Sequence, residues 1–309
     1  MLAIVYTPDG PNNLELGQAP EPDPTDGQVV IDVRATSLNF GEIAFMAEHQ
    51  QAGHVAGNDA AGVVIQAASD GSGPPIGTRV TAFSGEGAWA ERHAVDTDQL
   101  AVLPDSVDFA SAAALPTAAT TALRAVEKLG PIMGRRVLVT GASGGVGRFA
   151  VQLAALAGAH VVAAVGRPER GAGLLDLGAG EVVVGLDDVA PVNGVLENVG
   201  GALLTQAFGL LARDGLLLSI GQASLEASTV DFEAQRLRAS GTRIEAFAAG
   251  THPVSDDLQR LVALLDDGRL DPQIGWRGDW TGFADAVEAL RGRRVAGKAV
   301  LDIPASKPG

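Results

Sequence analysis

The hydrophobic pattern changes character along the chain. Up to about residue 110, short apolar runs are broken by glycine and proline: Met1-Leu-Ala-Ile-Val-Tyr6, then Val29 to Ala35 behind a loop with Pro20, Pro22 and Pro24, then Gly57 to Ile65 and Gly77 to Phe83. Runs this short, with no helical period, predict strands and together a small barrel-like domain. From Asp108 to Leu129 the pattern turns helical and alanine-rich. Beyond it Val137 to Val139 reads as a buried strand, Phe149, Leu153 and Leu156 recur at helical spacing until Gly158, and Val161 to Val165 reads as a second strand. Next come a short helix around Leu174 to Leu177, a strand at Val182 to Val184, a strand from Val195 that ends in Gly200 and Gly201, and a helix from Ala202 to Ala212. Strands at Leu216 to Gly221 and Arg243 to Phe247 complete an alternation that predicts a parallel sheet with both faces covered. The tail returns to the first domain. It carries an amphipathic helix from Asp256 to Asp267, a second apolar face made by Trp280, Phe283, Val287 and Leu290, and a closing strand from Gly297 to Asp302. The predicted division is 1–112 with 248–309 for one domain and 113–247 for the other.

The turn between the first two strands of the second domain is Ala142-Ser-Gly-Gly-Val-Gly147, a G-x-G-x-x-G pattern with alanine for the first glycine. Gly144 and Gly145 leave room for phosphate oxygens, and Gly147 lets the helix lie close on the strand. Backbone amides from Gly145 onward then face an anion at the helix N-terminus. Inside a βαβ unit, Ala142, Ser143, Gly144, Gly145, Val146 and Gly147 therefore read as a cradle for a dinucleotide pyrophosphate, the alternative being a glycine-rich turn that binds nothing. The second strand ends Ala164-Val-Gly-Arg-Pro-Glu-Arg170. Val165 stands where an NAD enzyme places Asp or Glu for the ribose hydroxyl, and Arg167 and Arg170 follow it. A guanidinium fork suits the 2′-phosphate, which favours NADPH as cofactor. The competing reading makes both arginines solvated loop residues paired with Glu169 or Asp176.

Composition narrows the field. A net charge of −15 argues against nucleic acid or an anionic membrane as the main partner. No apolar run approaches a membrane span, and Met1 to Tyr6 reads as a strand and not a signal peptide, so a cytoplasmic location is expected. With no cysteine, disulfides, thiolate nucleophiles and cysteine-based zinc sites are excluded.

Further short motifs run in order from end to end. Asn39-Phe-Gly-Glu42 is similar to N-[FYP]-x-D, Gly57-Asn-Asp-Ala-Ala-Gly62 to G-x-[ED]-x-A-G, and Gly87-Ala-Trp-Ala-Glu91 to G-a-Y-A-E. Ala112-Ala-Ala-Leu-Pro116 with Thr120-Thr-Ala122, the Ala142 to Gly147 turn, Asn198-Val-Gly-Gly201, Ser219-Ile-Gly221, Asp267-Gly-Arg-Leu270 and Gly297-Lys298 complete the set. With these the chain resembles the zinc-independent quinone oxidoreductase (zeta-crystallin-like) family of the medium-chain dehydrogenases/reductases. The resemblance implies the α/β class, with a GroES-like β-rich domain plus a Rossmann doubly wound parallel sheet. It also implies NADPH, metal-free hydride transfer to a quinone or an α,β-unsaturated carbonyl, and a homodimer. It places Asn39 and Thr121 near the nicotinamide with Glu42 in the same pocket, Asn198 and Gly221 along the cofactor path, and Lys298 at the edge of that site. Thr121 as the holder of a helix turn and Lys298 as a solvated strand residue stay open. Zinc members of the superfamily carry a Cys near the position of Asn39 and a G-H-E segment. Here Asn58-Asp59 replaces His-Glu, and His49 and His54 read as ordinary loop histidines, so no metal is expected.

The proton donor is not identified by sequence. Tyr6 is the only tyrosine, so the tyrosine donor of related enoyl-thioester reductases is missing, and Glu42, His49, His54 and water stay open. The same lone tyrosine excludes the Tyr-x-x-x-Lys pair of short-chain dehydrogenases, whose T-G-x-x-x-G-x-G turn Thr140 to Gly147 also fits. An enoyl-thioester reductase and a non-catalytic NADPH-binding sensor are the alternatives.

Overall fold

The computed structural model describes residues 1–8, 10–49, 51–249 and 253–305. The chain divides into two compact units, Met1–Thr120 with Thr251–Gly309, and Thr121–Gly250.

In the first unit β1 (Leu2–Tyr6) and β2 (Leu14–Gln18) form an antiparallel pair. β3 (Gln28–Leu38) runs three residues past the expected end at Ala35. Its extension is polar, yet Thr36 and Ser37 are buried because both hydroxyls donate to Asp59, one to its carbonyl and one to its carboxylate. After α1 (Phe40–Ala44) and α2 (Met46–His49) come β4 (Asp59–Gln66), β5 (Arg79–Phe83), β6 (Arg92–Asp96) and β7 (Leu100–Val102). The alanine-rich stretch folds as α3 (Phe109–Ala113) and α4 (Pro116–Lys128), with Asp108 capping α3 by accepting from the Ala110 and Ser111 amides.

The second unit takes in α4 from Thr121 onward and continues with β8 (Arg136–Val139), α5 (Gly145–Leu156) and β9 (His160–Val165). Phe149 and Leu153 are buried as expected, while Leu156 is 44% exposed and lies off the core face. No helix forms at Leu174 to Leu177. Glycines at 171, 173 and 178 break the run, and its amides close short turns, Leu174 onto Gly171 and Leu177 onto Gly173. β10 (Glu181–Val184), β11 (Val192–Glu197), α6 (Gly201–Gly209) and β12 (Leu211–Ser219) follow. α6 stops three residues short of the expected Ala212 because Leu211 is already paired with Val192 of β11. α7 (Phe232–Arg238) and β13 (Arg243–Ala246) close the unit. The sheet is parallel throughout, in the order β10-β9-β8-β11-β12-β13. This is the 3-2-1-4-5-6 order of a doubly wound dinucleotide fold, reversing direction between β8 and β11. Leu138, Val162, Val195, Phe208 and Leu217 form its core.

The tail supplies α8 (Ser255–Asp266), β14 (Ile274–Asp279), α9 (Phe283–Arg291) and β15 (Lys298–Asp302) to the first unit. β4 runs along most of β3, whose first half also pairs with β6 and second half with β15. The result is a seven-stranded sheet, β14-β15-β3-β4-β5-β7 with β6 on β3. Ile4, Ile31, Val33, Trp89, Val287 and Leu301 lie in its core, each buried aliphatic side chain contributing about 1.5–3 kcal/mol of transfer free energy. β15 thereby lays Lys298 against the end of β3, where the first of two candidate sites is built. Among the described residues no helix is long and apolar enough to cross a membrane.

Candidate functional site

In the second unit the glycine turn follows β8. Gly141 takes the left-handed conformation, with φ 57°, and its carbonyl accepts from the Gly144 amide at 2.9 Å. The place in the turn that demands glycine is thus one residue before Ala142, which is fully buried and donates its amide to the Ala164 carbonyl at 3.1 Å. Gly147 is needed for space: a Cβ there would stand 2.3 Å from the Gly141 carbonyl oxygen and 2.7 Å from the Ala142 Cα. Gly144 is the N-cap of α5 and offers no side chain to its amides. The first amide of the helix to find a backbone acceptor is that of Arg148, on Gly144 at 3.0 Å. The amides of Gly145, Val146 and Gly147 precede it at the positive end of a twelve-residue helix, and Gly144, Gly145 and Val146 are partly exposed. Such a turn fits a phosphate group.

The loop after β9 reaches back to this turn. Arg170 donates from Nε to the Ser143 hydroxyl at 3.0 Å, so these two expected cofactor residues meet. Arg167 stands apart and pairs with Glu169 at 3.3 Å, both side chains well exposed. A surface pair of that kind contributes at most about 1 kcal/mol, which a phosphate dianion can outbid.

Where the sheet reverses, Glu197 at the end of β11 is fully buried and accepts from the Thr140 hydroxyl and the Val199 and Gly200 amides, all at 2.9 Å. Burial raises its carboxyl above the ordinary range against these donors. Asn198 donates its amide to the Thr140 hydroxyl and its Nδ2 to the Thr140 carbonyl, both at 2.9 Å. Gly221, just beyond β12, bonds the Glu197 carbonyl and leaves no room for a side chain beside the Asn198 carbonyl. Asn198 and Gly221 are therefore neighbours at the carboxyl ends of adjacent strands, where ligands of such sheets bind.

In the first unit a charged cluster is built on two buried side chains, with Asn39 and Glu42 beside them partly exposed. Lys298 and Asp59 are 2% and 0% exposed, with Nζ 3.2 Å from Oδ2. Asp59 also accepts from the Ser37 hydroxyl at 2.6 Å, Asn39 Nδ2 at 2.8 Å, and the amide and hydroxyl of Thr117 at 2.9 and 2.5 Å. Lys298 donates further to Asn39 Oδ1 at 2.5 Å and to the Leu38 carbonyl at 3.2 Å. Asn39 caps α1, and its backbone and side-chain N–H groups both donate to Glu42 Oε2 at 2.8 Å. With its amide oriented to satisfy both atoms, Asn58 donates to the other Glu42 oxygen at 3.1 Å and to the Gly85 carbonyl at 2.9 Å. Burial, reinforced by the Asp59 charge, pushes the Glu42 carboxyl up to about 8 against the pull of Lys298 and Asn39. One carboxylate, one ammonium and one neutral acid thus balance, and Glu42 holds a proton at neutral pH.

Thr121 lies on α4, partly exposed. His54 is exposed and 3.7 Å from Glu86, and the side chain of His49 lies outside the described residues. His93 is buried on the Ser84 hydroxyl at 2.6 Å, and burial lowers its imidazole to about 4, so it is neutral.

Two family profiles match: "Alcohol dehydrogenase GroES-like domain" over residues 25–105 and "Zinc-binding dehydrogenase" over residues 174–301. The quinone oxidoreductase of Coxiella burnetii has the same fold, with a TM-score of 0.86, 26% identity, and 98% of this chain and 99% of that one covered. The chain belongs to the medium-chain dehydrogenase/reductase family. It is quinone oxidoreductase-like within it, and it shares the fold of an Escherichia coli quinone oxidoreductase complexed with NADPH at a TM-score of 0.86 and 22% identity, over 98% and 100% of the two chains. Among curated proteins this medium-chain dehydrogenase/reductase is 33% identical to "Erythronolide synthase EryA2" of Saccharopolyspora erythraea over 297 residues, 90% of its own length but 8% of that protein's. Among the described residues the zinc in one profile's description finds no fitting set of donors. There is no cysteine, and among the described residues no three His, Asp or Glu converge; Lys298 already places a cation against Asp59.

Asp59, Asn58, Thr140 and Glu197 help build these candidate sites and were not selected by sequence reasoning. Asp59 had a signal, since it fills the acidic place of G-x-[ED]-x-A-G, but only its pairing with Lys298, 239 residues away, shows its partner. Glu197 sits directly before the Asn198 motif and had none beyond that.

Proposed function

We propose that this chain is an NADPH-dependent, zinc-independent oxidoreductase that reduces a quinone or an α,β-unsaturated carbonyl compound. The observation that carries the reading is the uncapped α5 N-terminus at the switch point of a parallel sheet, with Arg170 drawn onto Ser143 beside it. The residues present fit the cofactor: Ala142 to Gly147 for the pyrophosphate, Arg170 and Arg167 for the 2′-phosphate, Asn198 and Gly221 along the bound molecule. Bound NADPH supplies the hydride. The product of hydride addition is an enolate or a hydroquinone anion, which needs one proton. Among the described residues Glu42 is the carboxyl held protonated near neutral pH beside Asn39, and we assign it as the proton source. Asn39 and Thr121 orient the reacting end. Assembly as a cytoplasmic homodimer belongs to the same reading, and sedimentation equilibrium tests the dimer.

A second reading, enoyl-thioester reduction, is favoured by the likeness to erythronolide synthase and to proteins named polyketide synthases, such as GfsB of Streptomyces halstedii at 27% identity. The discriminating experiment mixes NADPH with benzoquinones, naphthoquinones, 2-alkenals and enoyl-CoA thioesters and follows loss of the reduced cofactor. Turnover of quinones or alkenals supports the first reading, turnover of thioesters alone supports the second, and binding without turnover makes the chain a sensor.

A further inference from the structure

We propose that Arg148 is the positioning residue for cofactor choice: from inside α5 it holds the loop that presents Arg167 and Arg170. The inference rests on the NADPH reading above. Arg148 follows directly on Gly147, so its backbone belongs to the phosphate turn, yet its side chain runs sideways, 8% exposed, and donates from Nη2 to the Ala172 carbonyl at 2.7 Å. Ala172 ends the short 3-10 turn Pro168–Gly171 that contains Arg170. The loop is therefore tied to the glycine turn by Arg170 Nε on Ser143 Oγ and to α5 by Arg148 Nη2 on Ala172 O. These ties differ in kind. The first joins two side chains, both expected to face the phosphates, and must rearrange if Arg170 turns to a phosphate. The second comes from a buried side chain, ends on the backbone of an exposed loop residue and needs no change when a ligand arrives. It fixes where the arginines start from, so less ordering is left to be done on binding the 2′-phosphate.

The contact also accounts for an otherwise unfavourable residue. An arginine only 8% exposed, on a helix whose next residues Phe149, Ala150 and Val151 are wholly buried, withdraws a charge from water. It is tolerated where its head meets a carbonyl, and a backbone acceptor with a charged donor is among the stronger hydrogen bonds.

The test uses the whole chain and two variants, Arg148→Met and Arg148→Lys, titrated calorimetrically with NADPH, NADH, 2′,5′-ADP and 5′-AMP, with circular dichroism to establish that each is folded. Lysine retains length and charge but not the fork, so it covers the case in which methionine fails to fold. The expected result is a preference for NADPH over NADH, and for 2′,5′-ADP over 5′-AMP, that falls about tenfold in Arg148→Met, with NADH and 5′-AMP affinity little changed and partial recovery in Arg148→Lys. Folded variants that retain the wild-type preference overturn the inference and leave the cofactor reading standing. Equal losses for phosphorylated and unphosphorylated ligands also overturn it, since they mark general damage to the turn. Failure of the wild-type chain to bind either nicotinamide cofactor overturns the cofactor reading and this inference together.

Discussion

Removing Lys298 should damage the first unit far more than removing its partner Asp59. Lys298→Met takes the only ammonium from a cluster in which Asp59 is fully buried. The Asp59 carboxylate keeps its donors from Ser37, Asn39 and Thr117 but loses its counter-charge, and Glu42 is already protonated and cannot help. Stranding a buried charge costs about 3–5 kcal/mol. Asp59→Asn differs, because the Asp59 charge is one of the two causes that keep Glu42 protonated. Once it is gone, only burial holds the Glu42 carboxyl up against the pull of Lys298 and Asn39, so Glu42 ionises more readily near Lys298 through Asn39, which bonds both, and the cost falls to about 1–3 kcal/mol. Tryptophan fluorescence reads this unit alone, since Trp89, Trp276 and Trp280 all belong to it. With a urea dependence of about 2 kcal/mol per molar, Lys298→Met should move the unfolding midpoint down by roughly 1.5–2.5 M at pH 7 and Asp59→Asn by roughly half that. A midpoint that Lys298→Met leaves within about 0.3 M of wild type, or a larger loss from Asp59→Asn, would refute the reasoning.

Glu42→Gln should stabilise the protein increasingly as pH rises. Because the folded carboxyl titrates at about 8 and the unfolded one near 4.5, the native state holds a proton the unfolded state has released, so wild type loses up to about 1.4 kcal/mol per pH unit across that window relative to the variant. Equal stability curves would show that Glu42 is not buried as a neutral acid. If Glu42 supplies the product proton, turnover should also fall above about pH 8 in wild type, and that limb should vanish in Glu42→Gln. Gly147→Ala forces a Cβ to 2.3 Å from the Gly141 carbonyl, which should cost about 1–3 kcal/mol and abolish measurable NADPH binding; retention of wild-type affinity in a titration would place the phosphates elsewhere. Glu181, held down to about 2 chiefly by Arg136 and then by His160, should contribute stability that is present above the ordinary carboxylate range and lost as pH falls through about 2. Since the cluster is exposed at the sheet edge, Glu181→Gln should cost no more than about 1 kcal/mol at pH 7, checked by urea titration followed by circular dichroism.

The sheet of the second unit was legible because its inner strands hold continuous buried apolar runs, Val137 to Val139, Val161 to Val165 and Leu216 to Leu218, while its edge strands β10 and β13 are only partly buried. Its misread pieces are those where local pattern and tertiary pairing conflict. Leu210, Leu211 and Ala212 continue the apolar pattern of α6, yet Leu211 is claimed by Val192; Leu174 and Leu177 are helically spaced, yet glycines surround them. In the first unit β2, β6, β7 and β14 escaped notice: β7 has only three residues, and the others carry charged residues such as Glu15, Arg92, Asp96 and Arg277. The glycine turn and Arg170 were visible as a motif with fixed spacing. The acid–ammonium cluster was not, because its members come from β4, β15 and the β3–α1 junction and only the antiparallel pairing of β3 with β4 and β15 assembles them.

The central claim is hydride transfer from NADPH, and isotope transfer tests it most directly. The protein would be incubated with NADPH deuterated at the transferable position and an excess of a 2-alkenal, and the product examined by mass spectrometry and NMR. The account predicts one deuterium on the β-carbon, with a solvent proton on the α-carbon. A reduced product without deuterium, or no consumption of the cofactor with any quinone, alkenal or enoyl thioester, would contradict it.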